Sequence, residues 1–375
     1  MTSRILPFFL VISVGFSSCT KESRTSANED QAHDHVEVPS RGEKEKKRWS
    51  HPELPKSDLY DRASLEAEKR GGYKFLKAMD SIVWTDLEKV VNLRFSDPVM
   101  SFFINDRQYV IPWYAIKNSH VGNLTIDGVG VIVVICEVCS GSSIYRSHLD
   151  GNKKYFNLAG IYNGSNCLID EDNEVWGSFS GEALTGPNKG KRLERIHSFQ
   201  TTWKDWLKVN NQALVADYPD SYRKGHHEDA IIGDDEKRPG MMRTMEREID
   251  PRLPMNEMVQ GVSLGDMNRA YQHSKLEERI VVNDTLGGQP LVVMSMGGTS
   301  MITVFSRVIN GRTLSFTFDN EVFVDIETGS KWTIQGTCID GELKGEKLEY
   351  INNHHEEWYA WAASYPQTTI YTGNN

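Results

Sequence analysis

Two stretches of this chain share one pattern of residues and decide how the rest of it is interpreted. They are GEALTGPNKGKRLERIHSFQTTWKDW at 181–206 and GTCIDGELKGEKLEYINNHHEEWYAW at 336–361. Aligned without a gap, they are far more alike than average residue usage explains. We therefore infer an internal repeat. The identical positions of the first stretch are Gly181, Gly186, Lys189, Gly190, Leu193, Glu194, Ile196, Trp203 and Trp206.

The repeat extends upstream, because 126–156 aligns without a gap on 286–316. Each segment carries a hairpin signal, an Asp-Gly pair ending at Gly151 and an Asn-Gly pair ending at Gly311. Both central residues of a type I′ turn have positive φ, which these residue types tolerate. The β-branched run 129–138 is typical of a strand buried on both faces. We predict an α+β fold, mostly β, with two pseudo-symmetric repeats.

Each repeat is predicted to be an antiparallel-rich sheet followed by a C-terminal helix with the pattern W-x-x-W. Trp203, Trp206 and Leu207 fall on one helix face. Buried tryptophans would dock each helix on its sheet, whereas exposed ones would form a stacking platform, and we favour docking. The tryptophans at matched positions are Trp176, Trp203, Trp206, Trp332, Trp358 and Trp361.

The N-terminus has the pattern of a lipoprotein signal peptide. Arg4 precedes the apolar run 5–16, which is too short to span a bilayer. Small residues before Cys19 resemble a lipobox, which makes Cys19 the predicted lipidation site. We expect an exported protein of the bacterial cell envelope, in the periplasm or at the outer membrane, attached to the membrane through its lipid anchor only.

Composition and charge patterns suggest the domain limits. The predicted order is a signal peptide at 1–19, a flexible tether at 20–57, a helical or irregular preface at 58–107, repeat unit 1 at 108–220, a charged linker at 221–257 and repeat unit 2 at 258–375.

Charge and cysteine content exclude several classes of protein. The formal net charge is −10, and nucleic-acid binding needs clustered Lys and Arg, so we expect no nucleic-acid partner. Five cysteines in 375 residues are too few for a disulfide scaffold. The chain has no P-loop, no G-x-S-x-G elbow and no H-E-x-x-H sequence.

The strongest candidate for chemistry is a CxxC sequence that only the first repeat contains. Cys136 and Cys139 follow its buried strand, whereas the second repeat has Met296 and Thr299 there. Two thiols at this spacing suit a soft metal ion, Cu or Zn, and His120 is the predicted third ligand. A redox-active dithiol, a static disulfide and inert buried thiols remain alternatives.

Other candidates have weaker support. Glu194 and Glu349 recur in both repeats and suit either loop anchoring or acid–base catalysis in a cleft between the repeats. Cys167 and Cys338 are predicted to be small core residues. His355, matched by Gln200, has a weaker case as a ligand. The functional hypotheses are therefore a soft-metal or thiol-site binding module, an exported thiol oxidoreductase or hydrolase, and an envelope scaffold protein. Enzymatic activity is the less favoured of these.

These residues together resemble a bacterial family, the domain of unknown function 3179. The resemblance covers about 95–372 and implies no activity. The family pattern near the CxxC is H-E-x-x-N-D-T-x-G-G and then Y-C-P-x-C-G-T, from which this chain departs at Val121, Leu124, Glu137 and Ser140. The resemblance rests on Asn283-Asp284-Thr285 with Gly287-Gly288, the CxxC before Ser140-Gly141, Gly181-Glu182-Ala183 with Gly186-Pro187, Thr201-Thr202-Trp203, Arg252-Leu253-Pro254, and Glu327-Thr328-Gly329-Ser330 with Trp332.

Overall fold

The structure is a computed structural model that describes residues 48–60, 78–209, 212–218, 242–278 and 280–373. The chain divides into two units, Met1–Lys44 and Glu45–Asn375, and all described residues belong to the second. The predicted signal peptide with Cys19, most of the predicted tether, residues 61–77 of the predicted preface and most of the linker lie outside the described residues.

The fold is mostly β, as predicted: 48% of the described residues lie in strands and 9% in helices, and several of the sheets are antiparallel. No helix among the described residues has the length and apolar character needed to cross a membrane. The first half, 48–218, contains β1 (Arg48–His51), β2 (Leu54–Tyr60), β3 (Trp84–Asp86), a 3₁₀ helix (Leu87–Lys89), β4 (Pro98–Ile104), β5 (Arg107–Pro112), α1 (Trp113–Ile116), β6 (Val121–Ile126), β7 (Val129–Cys136), β8 (Gly141–Arg146), β9 (His148–Leu149), β10 (Asn152–Lys153), β11 (Phe156–Tyr162), β12 (Ser165–Asp170), β13 (Val175–Gly177), β14 (Ser198–Thr202), α2 (Trp203–Val209) and β15 (Leu214–Ala216).

The second half, 242–373, continues the numbering. It contains β16 (Met258–Leu264), β17 (Met267–Gln272), α3 (His273–Leu276), β18 (Val281–Leu286), β19 (Gln289–Ser295), β20 (Ile302–Ser306), β21 (Val308–Ile309), β22 (Arg312–Thr313), β23 (Phe316–Asp319), β24 (Val322–Asp325), β25 (Lys331–Trp332), β26 (Cys338–Asp340), β27 (Asn353–Glu357), α4 (Trp358–Ser364) and β28 (Thr369–Ile370).

Most strands of the two halves follow the same order, with β1, β2, β3 and β26 as additions to one half or the other. The first has sheets β14-β4-β5-β15-β3, β6-β7-β8 and β1-β2-β11-β12-β13, and the second has β27-β16-β17-β28, β18-β19-β20 and β23-β24-β25-β26. In both, the strand after the W-x-x-W helix pairs in parallel, β15 with β5 and β28 with β17, whereas the hairpins are antiparallel. The domain limit predicted at 107/108 falls at the start of β5, which pairs with β4 throughout.

Equivalent side chains fix the two halves in the same way. Asn123 exchanges hydrogen bonds of 2.8 and 2.9 Å with the backbone of Phe156. Asn283 makes the same pair of bonds, both 2.8 Å, to Phe316. Each bond pair ties the three-stranded sheet of its half to the strand that follows the small hairpin.

The local predictions from turn and strand patterns are confirmed. Val129–Cys136 forms β7, and every residue of it after Val129 is buried, as expected for an unbroken β-branched run. The two-residue turns have positive φ at both positions, 50° and 82° at Asp150 and Gly151 and 51° and 76° at Asn310 and Gly311.

The six tryptophans at matched positions lie in the core. The indole N–H of Trp176 donates to Asp170 at 3.1 Å, and that of Trp332 donates to Asp325 at 2.9 Å. Thr202 caps α2, because its hydroxyl accepts the Asp205 amide at 3.2 Å. The burial excludes an exposed stacking platform and fits helix docking. The buried set is Trp176, Trp203, Trp206, Trp332, Trp358 and Trp361.

We predict that Gly311→Ala lowers the free energy of unfolding by about 1–2 kcal/mol, because a Cβ is disfavoured at φ 76° although no atom lies within 4 Å of it. Urea unfolding of the purified protein measures the change. The exposed neighbour Arg312, changed to Ala, is the control and should shift stability by less than about 1 kcal/mol. Equal effects of the two substitutions would contradict the assigned turn.

Candidate functional site

The CxxC sequence forms the turn between β7 and β8. Cys136 is the last residue of β7 and pairs with Gly141, and Ser140 closes the turn with φ 54°. Both thiols are fully buried, and none of the cysteines in the described residues forms a disulfide. The turn therefore presents two reduced sulfurs to the interior of the protein.

The two thiols have different electrostatic surroundings. Burial raises the pKa of Cys136, but a hydrogen bond with Cys139 and the backbone amides of Cys139, Asn166 and Val138 outweigh it, so the net pKa is lowered. Burial and the Cys136 thiolate raise the pKa of Cys139 well above its ordinary value. The surroundings therefore make Cys136 the more acidic of the two thiols.

The second half of the chain supplies the opposite wall of the site. The amide of Glu357 donates to the carbonyl of Cys139 at 3.1 Å, which joins β27 to the CxxC turn. Gly141 allows this approach, since a Cβ there would lie 3.1 Å from the carbonyl oxygen of His355 and 2.9 Å from the Phe179 ring. Only a residue without a side chain fits between β8 and β27 at this point.

A buried polar chain runs from the sulfur across to β27. Cys139 Sγ lies 3.0 Å from Ser165 Oγ, and Ser165 also hydrogen-bonds Glu356. Glu356 Oε1 lies 3.2 Å from His354 Nε2. Burial and the Cys136 thiolate raise the pKa of Glu356 well above its ordinary value, and burial lowers that of His354. Both groups therefore favour their neutral forms.

Arg195 is the cation of this region. Its guanidinium donates to Ser143 at 2.8 Å, to Tyr145 at 3.0 Å and to the carbonyl of Phe179. Its positive charge opposes the rise in the pKa of Glu356 without cancelling it. Arg195 thus partly offsets the negative charge that a thiolate brings into the core.

His120, the predicted third ligand, is placed differently. The Ile135 amide donates to its carbonyl at 3.0 Å, so His120 lies across the ladder from Ile135. His120 itself precedes β6, which begins at Val121, and its backbone has a φ of 58°. The described residues include no group of three or more His, Cys, Asp or Glu side chains arranged to hold a metal ion. The structure brings together Cys136 and Cys139.

The neighbouring histidine, His355, points to the other side of β27. Its ring lies 5.2 Å from the ring of His273, and the Nε2 atoms of both are buried without a hydrogen-bond partner. Burial lowers the pKa of His355 to about 4. His355 is therefore a neutral core residue on the face away from the sulfurs.

The turn of the second half that aligns with the CxxC turn has neither the thiols nor a counterpart of the Glu356 carboxyl. Met296 and Thr299 stand where the cysteines do, and the Thr299 hydroxyl donates to the Met296 carbonyl at 2.7 Å. Thr201, the counterpart of Glu356 in the aligned repeats, lies 3.5 Å from Ser300 through their hydroxyls. The buried acid and the thiols are both confined to one of two equivalent positions.

The remaining candidates lie apart from the sulfurs. Glu194 and Glu349 are exposed, and Glu194 pairs with Arg146 at 2.8 Å. A cleft of about 840 Å³ between 86–108 and 335–348 is lined by neither glutamate. Cys167 and Cys338 are buried core residues, as predicted.

Three residues of the site were missed from the sequence: Ser165, Arg195 and Glu356. A usable signal existed for Glu356, because the aligned repeats have threonine at its counterpart, Thr201. Ser165 and Arg195 carry no such signal, since only the packing of the two halves brings them near the thiols.

The comparison with protein families agrees with the resemblance found in the sequence. The family model described as protein of unknown function DUF3179 matches residues 78–368. The chain belongs to this family. No curated protein and no solved structure matches it. Membership in DUF3179 assigns the chain to a family but to no activity.

We predict that Glu356→Gln becomes more stabilising as pH rises. The raised pKa of the native carboxyl means that the native state keeps its proton while the unfolded state loses it above about 4.5, so wild-type stability falls as pH rises. The amide removes this loss, and the gain should grow by on the order of 1 kcal/mol per pH unit. Urea unfolding at pH 5, 6 and 7 measures it.

The exposed Glu349, changed to Gln, is the control for that series. A gain for Glu356→Gln that stays constant over the pH range would show that the buried carboxyl is ionised in the native protein.

Proposed function

We propose that this protein binds one soft, monovalent metal ion, Cu(I), between the thiolates of Cys136 and Cys139. The observation that carries the proposal is the set of backbone amides, from Val138, Cys139 and Asn166, that hydrogen-bond Cys136 sulfur and lower its pKa. Amides aimed at a buried sulfur stabilise a thiolate, which is the metal-binding form of cysteine.

The size of the ligand set supports Cu(I) over Zn(II). Structural zinc is almost always held by four protein ligands, and the described residues offer no group of three. Soft thiolates select Cu(I), which forms stable complexes with two of them. The proposed ligands are therefore Cys136 and Cys139 without His120.

Burial argues against the alternative of thiol–disulfide exchange with a protein partner. The attacking thiolate needs access to the partner's disulfide, and both sulfurs are fully buried. An ion, in contrast, needs only a narrow route. Hydrolysis by Glu194 and Glu349 has no support either, because neither residue lines the cleft between the halves.

We predict that the reduced protein takes up one equivalent of Cu(I) in competition with the chromogenic chelator bicinchoninate under anaerobic conditions. Cys136→Ala and Cys139→Ala should each weaken binding by more than the roughly 10–100-fold that loss of a supporting residue costs. Cys338→Ala is the matched control, a buried thiol in the second half, and should bind like the wild type. Full binding by the Cys136→Ala, Cys139→Ala double variant would disprove the proposal.

The two halves are proposed to descend from a duplicated ancestor. The aligned repeats and the common order of the strands support this. On this view the metal site arose, or was retained, at one of two equivalent turns, while the other kept Met296 and Thr299 as packing residues.

The proposed location is the bacterial envelope, with the protein anchored through a lipid on Cys19. The apolar run 5–16 and the small residues before Cys19 support it. In a bacterial host, the wild type should fractionate with membranes and Cys19→Ser should not reach its lipidated form, as measured by labelling with a radioactive fatty acid. Equal labelling of Cys338→Ala and the wild type is the control. Undiminished labelling of Cys19→Ser would exclude the anchor.

A further inference from the structure

An ion that binds the buried thiols must first pass the side chains that cover them. Cys136 and Cys139 pack in one apolar cluster with Phe179, Met245 and Tyr359, among other residues. Two more methionines, Met242 and Met255, are partly buried against the same cluster. Three methionine thioethers therefore lie among the side chains that pack around the thiols.

One of these thioethers also faces a cavity on the outside. A pocket of about 310 Å³ is lined by Met245, Tyr359, Ala362 and Ala363 together with the segment 247–252. Met245 and Tyr359 thus line the pocket and also belong to the apolar cluster that contains the thiols. Ile249 and Ala363 share both locations, so the pocket adjoins the cluster of the sulfurs.

Met245 is held in this place by its own segment. The amide of Met245 donates to the carbonyl of Met242 at 3.2 Å. The preceding residue, Thr244, accepts the amide of Gly164 on its hydroxyl at 3.1 Å and the amide of Asn163 on its carbonyl at 3.0 Å. These bonds fix the thioether against the turn before β12, which begins at Ser165.

The phenol of Tyr359 is fixed beside it. Its hydroxyl donates to the carbonyl of Gly164 at 3.1 Å, and a Cβ on Gly164 would lie 2.6 Å from the tyrosine ring and 3.2 Å from Met245 Sδ. The absence of a side chain at Gly164 therefore lets ring and thioether meet. Of the two, only the thioether is a donor for a soft cation.

We propose that the pocket over Met245 is the access route for the metal ion and that Met245 Sδ is its first protein ligand, which passes the ion on to Cys136 and Cys139. This inference rests on the proposed function. A thioether is neutral and binds Cu(I) more weakly than a thiolate does, so transfer toward the cysteines is downhill. Of the residues that line the pocket, Met245 carries the soft donor. The Asp250 carboxylate is a hard donor and is paired with Arg252 at 2.7 Å.

The first test is the rate of loading. Cu(I) is presented as its bicinchoninate complex to the reduced full-length protein, and loss of the complex's colour is followed by stopped flow. Met245→Leu, which conserves volume, should lower the loading rate at least about tenfold and leave the equilibrium affinity within about twofold. Met294→Leu, a fully buried methionine of the second half, is the matched control and should load at the wild-type rate.

The second test does not require any change to Met245. The Cys136→Ala, Cys139→Ala variant is labelled with ¹³C-methyl methionine and titrated with Ag(I), a stable analogue of Cu(I). The Met245 methyl resonance, assigned from its NOEs to the neighbouring Tyr359 ring, should shift with added Ag(I), whereas that of Met294 should not. An unmoved Met245 resonance would overturn the access route even if Met245→Leu failed to fold.

The outcomes separate the two proposals. If the wild type binds Cu(I) and Met245→Leu loads at the same rate, the access route is wrong and the dithiolate site stands. If the wild type takes up no Cu(I), both are wrong. Slow loading of Met245→Leu with unchanged affinity, together with the resonance shift, supports the route.

Discussion

The close approach of β27 to β8 at Gly141 is the constraint on which the site depends. Because Gly141 has no side chain, the backbone of β27 reaches the CxxC turn, and the Glu357 amide binds the Cys139 carbonyl at 3.1 Å. This backbone hydrogen bond holds β27 of the second half against the CxxC turn of the first half. It also brings Glu356 into the interior, since alternate residues of β27 must face the turn.

This contact buries ionisable groups away from water, and burial favours their neutral forms. A buried carboxyl keeps its proton unless a cation stabilises the anion, and the nearest cation, Arg195, is engaged by Ser143, Tyr145 and the Phe179 carbonyl. The sulfur of Cys136, in contrast, receives backbone amides directly, and they lower its pKa. Sulfur is thus the group of this site whose negative form the surroundings favour, and sulfur is a better ligand for a soft cation than for a hard one.

The strands and turns of the fold were predictable from the sequence, but only some of the residues that form the site were. The hairpin turns at Gly151 and Gly311 and the buried strand β7 were predictable because local residue types determine them. His120 was predicted as a ligand because the chain could fold back across Gly128, but its left-handed backbone, with a φ of 58°, was not predictable from the sequence. Glu356 lies 217 residues after Cys139 (356 − 139), and no local pattern states that β27 packs on β8.

The position of β27 near the end of the chain has a consequence for biogenesis. During synthesis, the CxxC turn leaves the ribosome more than two hundred residues before the strand that covers it. Until 353–364 has been made, the two sulfurs lack the strand and helix that bury them in the folded protein, so oxidants and metal ions can reach them. We therefore expect the yield of protein with intact thiols to depend on reducing conditions during folding.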